Sequence, residues 1–425
     1  MVSTHRRVRL ALVMALAMSA IAAGALAQGM YYKEVRKDDR IYVFNNAQEA
    51  ERFERSGETG RSITRIGAGP NGETVVADSE RALELFFFKY GISEPVPQPP
   101  PPPPPAPPWR ISGLVFGDYY WFSSDHDPRW EDQQGFWLRR AYFTYDHRFA
   151  PQITTRLRLE VNSNGKLVGG LLTPYVKDAY VQWTYLGRQQ LQVGIQPSAT
   201  FSWLEGFWGL RHIEKTPADL YRIDSSRDFA LSFEGPIVLP AVRYVAQVGN
   251  DSGNGSETDK YKAYRFEGRF DENPGLAVEG FFGFFERPDG QDRRIAQLFG
   301  GFRTKAARAG LLYLWQERKS GSAAPDAEIG LVSALGVFDF LPEKGTIFGR
   351  IDWVNDPVPG ADGIDYLPID SRSSFTFYVV GFEWYLHKSV RISPNIEVVS
   401  YKDNAPDGTD IGPDVVPRLT FYWTW

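Results

Sequence analysis

The chain has 425 residues, a formal net charge of −5, no cysteine, 15% aromatic residues and 40 glycines. The missing cysteines exclude a disulfide scaffold and a thiolate metal site, and the acidic balance argues against a general nucleic-acid binder. The mean hydropathy of −0.34 is that of a soluble protein, yet a barrel alternating lipid-facing and lumen-facing side chains has a similar average.

Residues 1–27 read as a secretory signal peptide. Arg6, Arg7 and Arg9 precede the apolar run Leu10 to Ala23, and Ala25 and Ala27 take the small-residue positions of a cleavage site. Residues 28–93 read as a small α+β domain with a duplicated ββα order. Asn46 and Asp78 are the expected N-caps of helices over 47–55 and 79–90, and Asn71-Gly72 marks a tight turn. Residues 94–108 form a proline-rich linker, with eleven prolines between Pro95 and Pro108. Proline fixes φ and cannot donate ladder hydrogen bonds, so this stretch is a semi-rigid polyproline spacer.

From Trp109 the pattern changes to period two. Sixteen strands are expected: 109–123, 135–149, 153–164, 174–187, 189–200, 228–239, 242–251, 262–272, 275–287, 293–306, 308–319, 328–341, 345–356, 372–387, 390–402 and 414–425. In one of them Arg156, Arg158 and Glu160 alternate with Leu157, Leu159 and Val161; in another Arg265, Glu267 and Arg269 alternate with Tyr264 and Phe266. Tight links such as Asn273-Pro274 follow even-numbered strands, whereas long polar ones, including Ser124 to Gln134 and Pro357 to Ser371, follow odd-numbered strands. Half-polar strands with this alternation of link length predict an all-β transmembrane barrel of sixteen antiparallel strands in the outer membrane. The even count puts both barrel ends on the periplasmic side, and with them the α+β domain. Phe421, Trp423 and Trp425 line one face of the closing strand and fit an assembly signal as well as a lipid-facing edge.

The longest link, Phe201 to Arg227, holds Trp203, Phe207, Trp208 and Tyr221 among charges of both signs. So many aromatics speak for a folded loop, expected without secondary structure of its own. Turned into the lumen it narrows the pore with Arg211, Lys215, Arg222 and Arg227; turned outward it is a cap or subunit contact. The alternation adds Arg156, Arg158, Arg243, Arg265, Arg269 and Arg350 as lumen-facing cations, either guiding solute or bracing the wall against Glu160, Asp178, Glu234, Glu267 and Asp352. The histidines are scattered, and no catalytic, cofactor or metal motif is present, so no enzyme activity, cofactor or metal is expected.

The segments Gly135-Phe-Trp-Leu-Arg-Arg-Ala141, Arg156-Leu-Arg-Leu-Glu160, Gln192-Val-Gly-Ile-Gln-Pro197 and Ser226-Arg-Asp-Phe-Ala230 resemble the phosphate-selective porins of the O and P type. The resemblance covers most of 109–425 and implies a homotrimer in the lipid bilayer that passes small anions such as phosphate passively along inward-facing basic residues. The chain departs from that pattern in its charge balance, with 34 Lys and Arg against 40 Asp and Glu from Trp109 onward. The departure leaves the general porin reading intact, and the expected function is a passive porin channel for small solutes, with anionic, phosphate-like ones as what the resemblance implies. The competing expectation is a structural anchor whose periplasmic domain grips peptidoglycan or another envelope partner.

Overall fold

The computed structural model describes residues 31–92, 107–162, 172–321, 325–364, 366–402 and 410–425. The segment expected to be a signal peptide, and all but the last two residues of the one expected to be a proline-rich linker, lie outside them. The chain divides into two compact units, Met1–Ala106 and Pro107–Trp425.

The first unit runs β1 (Lys33–Lys37), β2 (Arg40–Phe44), α1 (Ala47–Ser56), β3 (Ile63–Arg65), β4 (Thr74–Ala77) and α2 (Glu80–Tyr90). Its sheet has the order β1-β2-β4-β3, with β2 and β4 parallel. Strand alternation sends Ile41 and Val43 to one face, under Leu83 and Phe86 of α2, and Phe44 to the other, under Ala50 and Phe53 of α1. Asn46 caps α1 by accepting from the Gln48 N–H. The cap of α2 is Ser79, not the expected Asp78: the serine hydroxyl accepts from the Ala82 N–H at 3.1 Å. Asp78 is drawn across the parallel pair, where its carboxylate accepts from the backbone N–H groups of Asn45 and Asn46 at 2.9 and 3.1 Å.

In the second unit sixteen strands form among the described residues. They begin with β5 (Trp109–Trp121), β6 (Gln134–Ala150), β7 (Ile153–Asn162), β8 (Pro174–Tyr185) and β9 (Gln189–Pro197). Next come β10 (Arg227–Pro236), β11 (Val242–Gly249), β12 (Ala263–Asp271), β13 (Gly275–Phe285), β14 (Arg293–Arg303) and β15 (Ala307–Arg318). The last five are β16 (Ala327–Leu341), β17 (Gly345–Val354), β18 (Phe375–His387), β19 (Val390–Tyr401) and β20 (Asp414–Thr424). Each pairs antiparallel with its neighbours in sequence, and β20 pairs with β5 to close the barrel. At the seam Gly113 and Trp425 exchange both backbone hydrogen bonds, at 3.1 and 3.2 Å. A Cβ on Gly113 would stand 1.9 Å from the Trp425 ring, so only glycine admits the indole there.

Links at one end of the barrel are tight, such as 151–152, 304–306 and 388–389; those at the other are long, such as 198–226 and 355–374. Alternate apolar side chains of the strands point away from the lumen: Leu157, Val193, Phe229, Phe266, Phe282, Leu311, Phe382 and Leu419 are all exposed. Asp178, Gln196, Glu279, Asp352 and Glu397 are buried on the inner face. That inversion suits a wall set in hydrocarbon. No described helix is long and apolar enough to cross a membrane.

Candidate functional site

The 198–226 link enters the barrel. It is not structureless as expected, for it contains two short helices, α3 (Ser202–Trp208) and α4 (Pro217–Leu220). Its aromatics provide the driving force. Phe207 lies 4.8 Å from Phe299, Trp208 6.4 Å from Phe348 and Tyr221 5.4 Å from Phe375, each edge-on to an inward-facing ring of the wall. Gly301 and Gly310, paired across β14 and β15, leave the socket: a Cβ on Gly301 would lie 2.7 Å from Phe207, and one on Gly310 2.3 Å from Phe299.

Polar clamps fix the loop in place. The Tyr221 hydroxyl donates to Asp352 at 2.7 Å, and Gln316 donates to the Ile223 carbonyl at 2.7 Å. Arg308 donates to the Trp208 carbonyl at 2.8 Å, and Arg139 to the Ile213 carbonyl at 2.8 Å. Backbone carbonyls that would otherwise be stranded in the lumen are thus paired with wall side chains.

A second loop follows it inside. The segment Pro357 to Ser371, expected to be polar and external, buries Val358, Ala361, Ile364, Tyr366, Leu367 and Ile369. The Tyr366 hydroxyl donates to Glu214 at 2.7 Å, Arg139 lies over the Tyr366 ring at 4.4 Å, and Arg418 donates to the Tyr366 carbonyl at 2.8 Å. The expectation failed because the charges of this segment lie between its apolar residues and mask them. Both loops therefore narrow the lumen.

The ten expected lumen cations divide into four groups. Arg156, Arg158 and Arg227 stand on the wall of β7 and β10, held by Asp146 at 2.7 Å and by Asp178 at 3.2 and 2.5 Å. Arg243 and Arg269 face each other across β11 and β12, beside Glu234 and Glu267. On the loop, Arg211 and Lys215 share Asp219, both at 3.4 Å, and Arg222 donates to the Gly363 carbonyl. Burial pushes the Lys215 ammonium down to about 8, with Arg140 and Arg211 adding to the shift and Asp219 opposing it.

Arg265 and Arg350, expected on the lumen face as solute guides or as wall braces, are shut off from water. Both are buried, Arg265 against Asp224 and Asp228 and Arg350 against Asp352 and the Lys215 carbonyl. They are loop clamps, because a guanidinium removed from water must be fully paired. Phe421 and Trp423 fall on the seam strand, opposite Gly117 and Val115, and Trp425 follows it, paired with Gly113.

Other cations were missed. A bulge between β5 and β6 at Phe116/Gly117 turns both Arg139 and Arg140 inward, and two adjacent arginines in a period-two strand were the available signal. Arg293 stands opposite Arg318, and Arg303 opposite Arg308, at the two ends of the β14–β15 hairpin. Their equal ten-residue spacing on both strands is visible in the sequence. Like charges directly opposite one another destabilise a sheet, so the Arg293–Arg318 pair creates a local demand for anions, while Arg303 is answered in part by Asp271.

Two cavities flank the loop. One, of about 340 Å³, is lined by Arg140, Lys215, Arg222, Arg287 and Arg293 with Asp219, Asp224 and Asp251 among its acids. The other, of about 370 Å³, lies towards the short-turn end and contains Arg303, Lys305, Arg308 and Arg391 with Asp339 and Glu383. Cations outnumber acids in both, although the chain as a whole is acidic.

No family model and no curated protein sequence matches the chain. Solved structures do. An anion-selective porin from Comamonas acidovorans superposes with a TM-score of 0.57 at 11% identity, over 75% of this chain and 99% of that one. OmpF of Salmonella typhi, in complex with daunomycin, gives 0.55 at 9% over 75% and 97%. The outer-membrane channel DcaP of Acinetobacter baumannii gives 0.51 at 14% over the same shares. The barrel has the fold of the outer-membrane porins.

Proposed function

We propose that the chain is an outer-membrane porin, a passive channel for small solutes in which the 198–226 loop forms the constriction and small anions, phosphate-like ones included, are favoured. The observation that carries this reading is the placement of Arg293 opposite Arg318 and Arg303 opposite Arg308, one pair at each end of the hairpin against which the loop packs. A field of this kind inside a narrow, low-dielectric channel sets selectivity locally, whatever the net charge. The short-turn end is then periplasmic and the long loops external, with the 28–93 domain in the periplasm and the linker as its tether. A homotrimer and an assembly role for Phe421, Trp423 and Trp425 follow from the resemblance to the O and P porins and from the closing-strand pattern. Reconstitution in planar bilayers tests the proposal: a potassium chloride gradient should give a reversal potential of the sign that anion preference requires.

The second reading is an anchor whose 28–93 domain binds peptidoglycan or an envelope partner. It is favoured by the second loop in the lumen, which places Tyr366, Leu367 and Ile369 where a wide channel would hold water. Purified, folded barrel that gives no conductance steps would decide for the anchor.

A further inference from the structure

At the long-loop end of the barrel, the fold brings Asp414 against the adjacent pair Asp125 and His126, the latter 288 residues away in sequence. Asp125 and His126 belong to the link between β5 and β6, and Asp414 opens β20. One ligand atom from each lies within 4.8 Å of the other two. His126 Nδ1 is 2.9 and 3.0 Å from the two Asp414 oxygens and 3.5 Å from Asp125 Oδ1. For metal–ligand bonds of ~2.1 Å, the edge of a tetrahedron is ~3.4 Å, so these separations need little adjustment.

A plain His126–Asp414 ion pair accounts for part of the arrangement but leaves Asp125 unexplained. The Asp125 side chain is only 1% exposed. Its Oδ1 accepts from the Asp127 N–H at 2.8 Å, whereas Oδ2 has no hydrogen-bond donor among the described residues. A buried carboxylate oxygen with no donor, beside a second buried carboxylate, calls for a cation. The surroundings also fix the ligands: the Tyr401 hydroxyl donates to Asp414 Oδ2 at 2.6 Å, and the His126 N–H donates to Asp414 Oδ1 at 2.6 Å. Orientation of first ligands by a second layer is what metal centres require.

We infer that Asp125, His126 and Asp414 form a binding site for a divalent first-row transition ion of the zinc type. One imidazole nitrogen with two carboxylates suits such an ion better than calcium or magnesium, which prefer all-oxygen sets. The ion takes the place of a proton on His126 Nδ1. It ties the first long loop to the last strand, beside the Ser124–Val415 bridge and the Ser124 hydroxyl bond to the Pro413 carbonyl at 2.9 Å. The barrel seam is thereby pinned at its long-loop end.

The test is calorimetric titration of zinc chloride into the full chain in detergent, after chelator treatment, with metal content measured on the same samples. One zinc per chain is expected, with Asp125→Asn and His126→Gln each weakening binding at least tenfold. Glu257→Gln, an exposed loop acid elsewhere, should bind as the parent does. X-ray absorption of the loaded protein should give one nitrogen ligand among oxygens. Heat-dependent gel migration checks that each variant has folded, and if His126→Gln does not fold, Asp125→Asn decides. Absence of stoichiometric zinc, equal binding by all the variants, or an all-oxygen shell would overturn the assignment.

Discussion

Arg265 on β12 holds Asp224 of the constriction loop through two parallel hydrogen bonds of 2.8 Å, Nε to Oδ2 and Nη2 to Oδ1. Its remaining nitrogen donates to Asp228 at 2.7 Å, and all three side chains are shut off from water. Removing one member of such a buried set leaves charge uncompensated, at a cost of about 3–5 kcal/mol. Arg265→Met should therefore free the C-terminal end of the loop before it unfolds the barrel. Single-channel records should show larger and noisier conductance steps, with the folded form on gels unchanged. Steps identical to those of the parent would mean that the aromatic contacts alone hold the loop.

The N-terminal unit gives a separate expectation. Asp78 joins the two ββα halves through its bonds to the N–H groups of Asn45 and Asn46. In a fragment of residues 31–92, chemical unfolding should be cooperative, and Asp78→Ala should lower its stability by about 1–2 kcal/mol. A fragment with a random-coil spectrum would refute an independent domain.

The architecture was open to reading because a barrel writes its geometry into the sequence twice, as side-chain alternation and as link length. Strand β19 was expected at 390–402 and is Val390–Tyr401; β10 was expected at 228–239 and is Arg227–Pro236. The loop aromatics Trp208 and Tyr221 were equally visible, since buried rings need a wall. What stayed hidden depends on three dimensions. Whether Arg265 meets water or Asp224 is settled by where a loop 41 residues away in sequence ends. The second lumen loop has no aromatic cluster to announce it, and Asp125 meets Asp414 only because the barrel closes.

If the cavity beside Lys215 conducts, selectivity should depend on pH. With its ammonium pushed down to about 8, it is charged at pH 7 and largely neutral at pH 9. The cavity containing it then loses one cation, so anion preference should weaken across that interval. Lys215→Arg should remove the dependence, because a guanidinium keeps its proton there. Reversal potentials measured from pH 6 to 9 on both proteins check this; a flat profile for the parent would show that Lys215 does not face the conducting path.

The sharpest test of the channel reading is charge reversal among the arginines that line the first cavity. Arg287 is paired with Asp251, whereas Arg293 faces Arg318 across the sheet and lines the same cavity. Replacing Arg287 and Arg293 together by glutamate moves the cavity from a cation excess to an acid excess without touching the loop clamps Arg265, Arg308 and Arg350. If ions pass here, the reversal potential in a potassium chloride gradient should move towards cation preference by many millivolts and change sign at low salt. The effect should shrink as salt rises from 0.1 to 1 M, because the Debye length falls from ~10 Å to ~3 Å. The single Arg293→Glu variant should give an intermediate shift, since it removes the like-charge pair but leaves Arg287 in place. Conductance should change far less than selectivity, because the lumen width is set by the loops. Reversal potentials indistinguishable from the parent at 0.1 M would place the conducting path elsewhere and, combined with an inert Lys215, would favour the anchor over the pore.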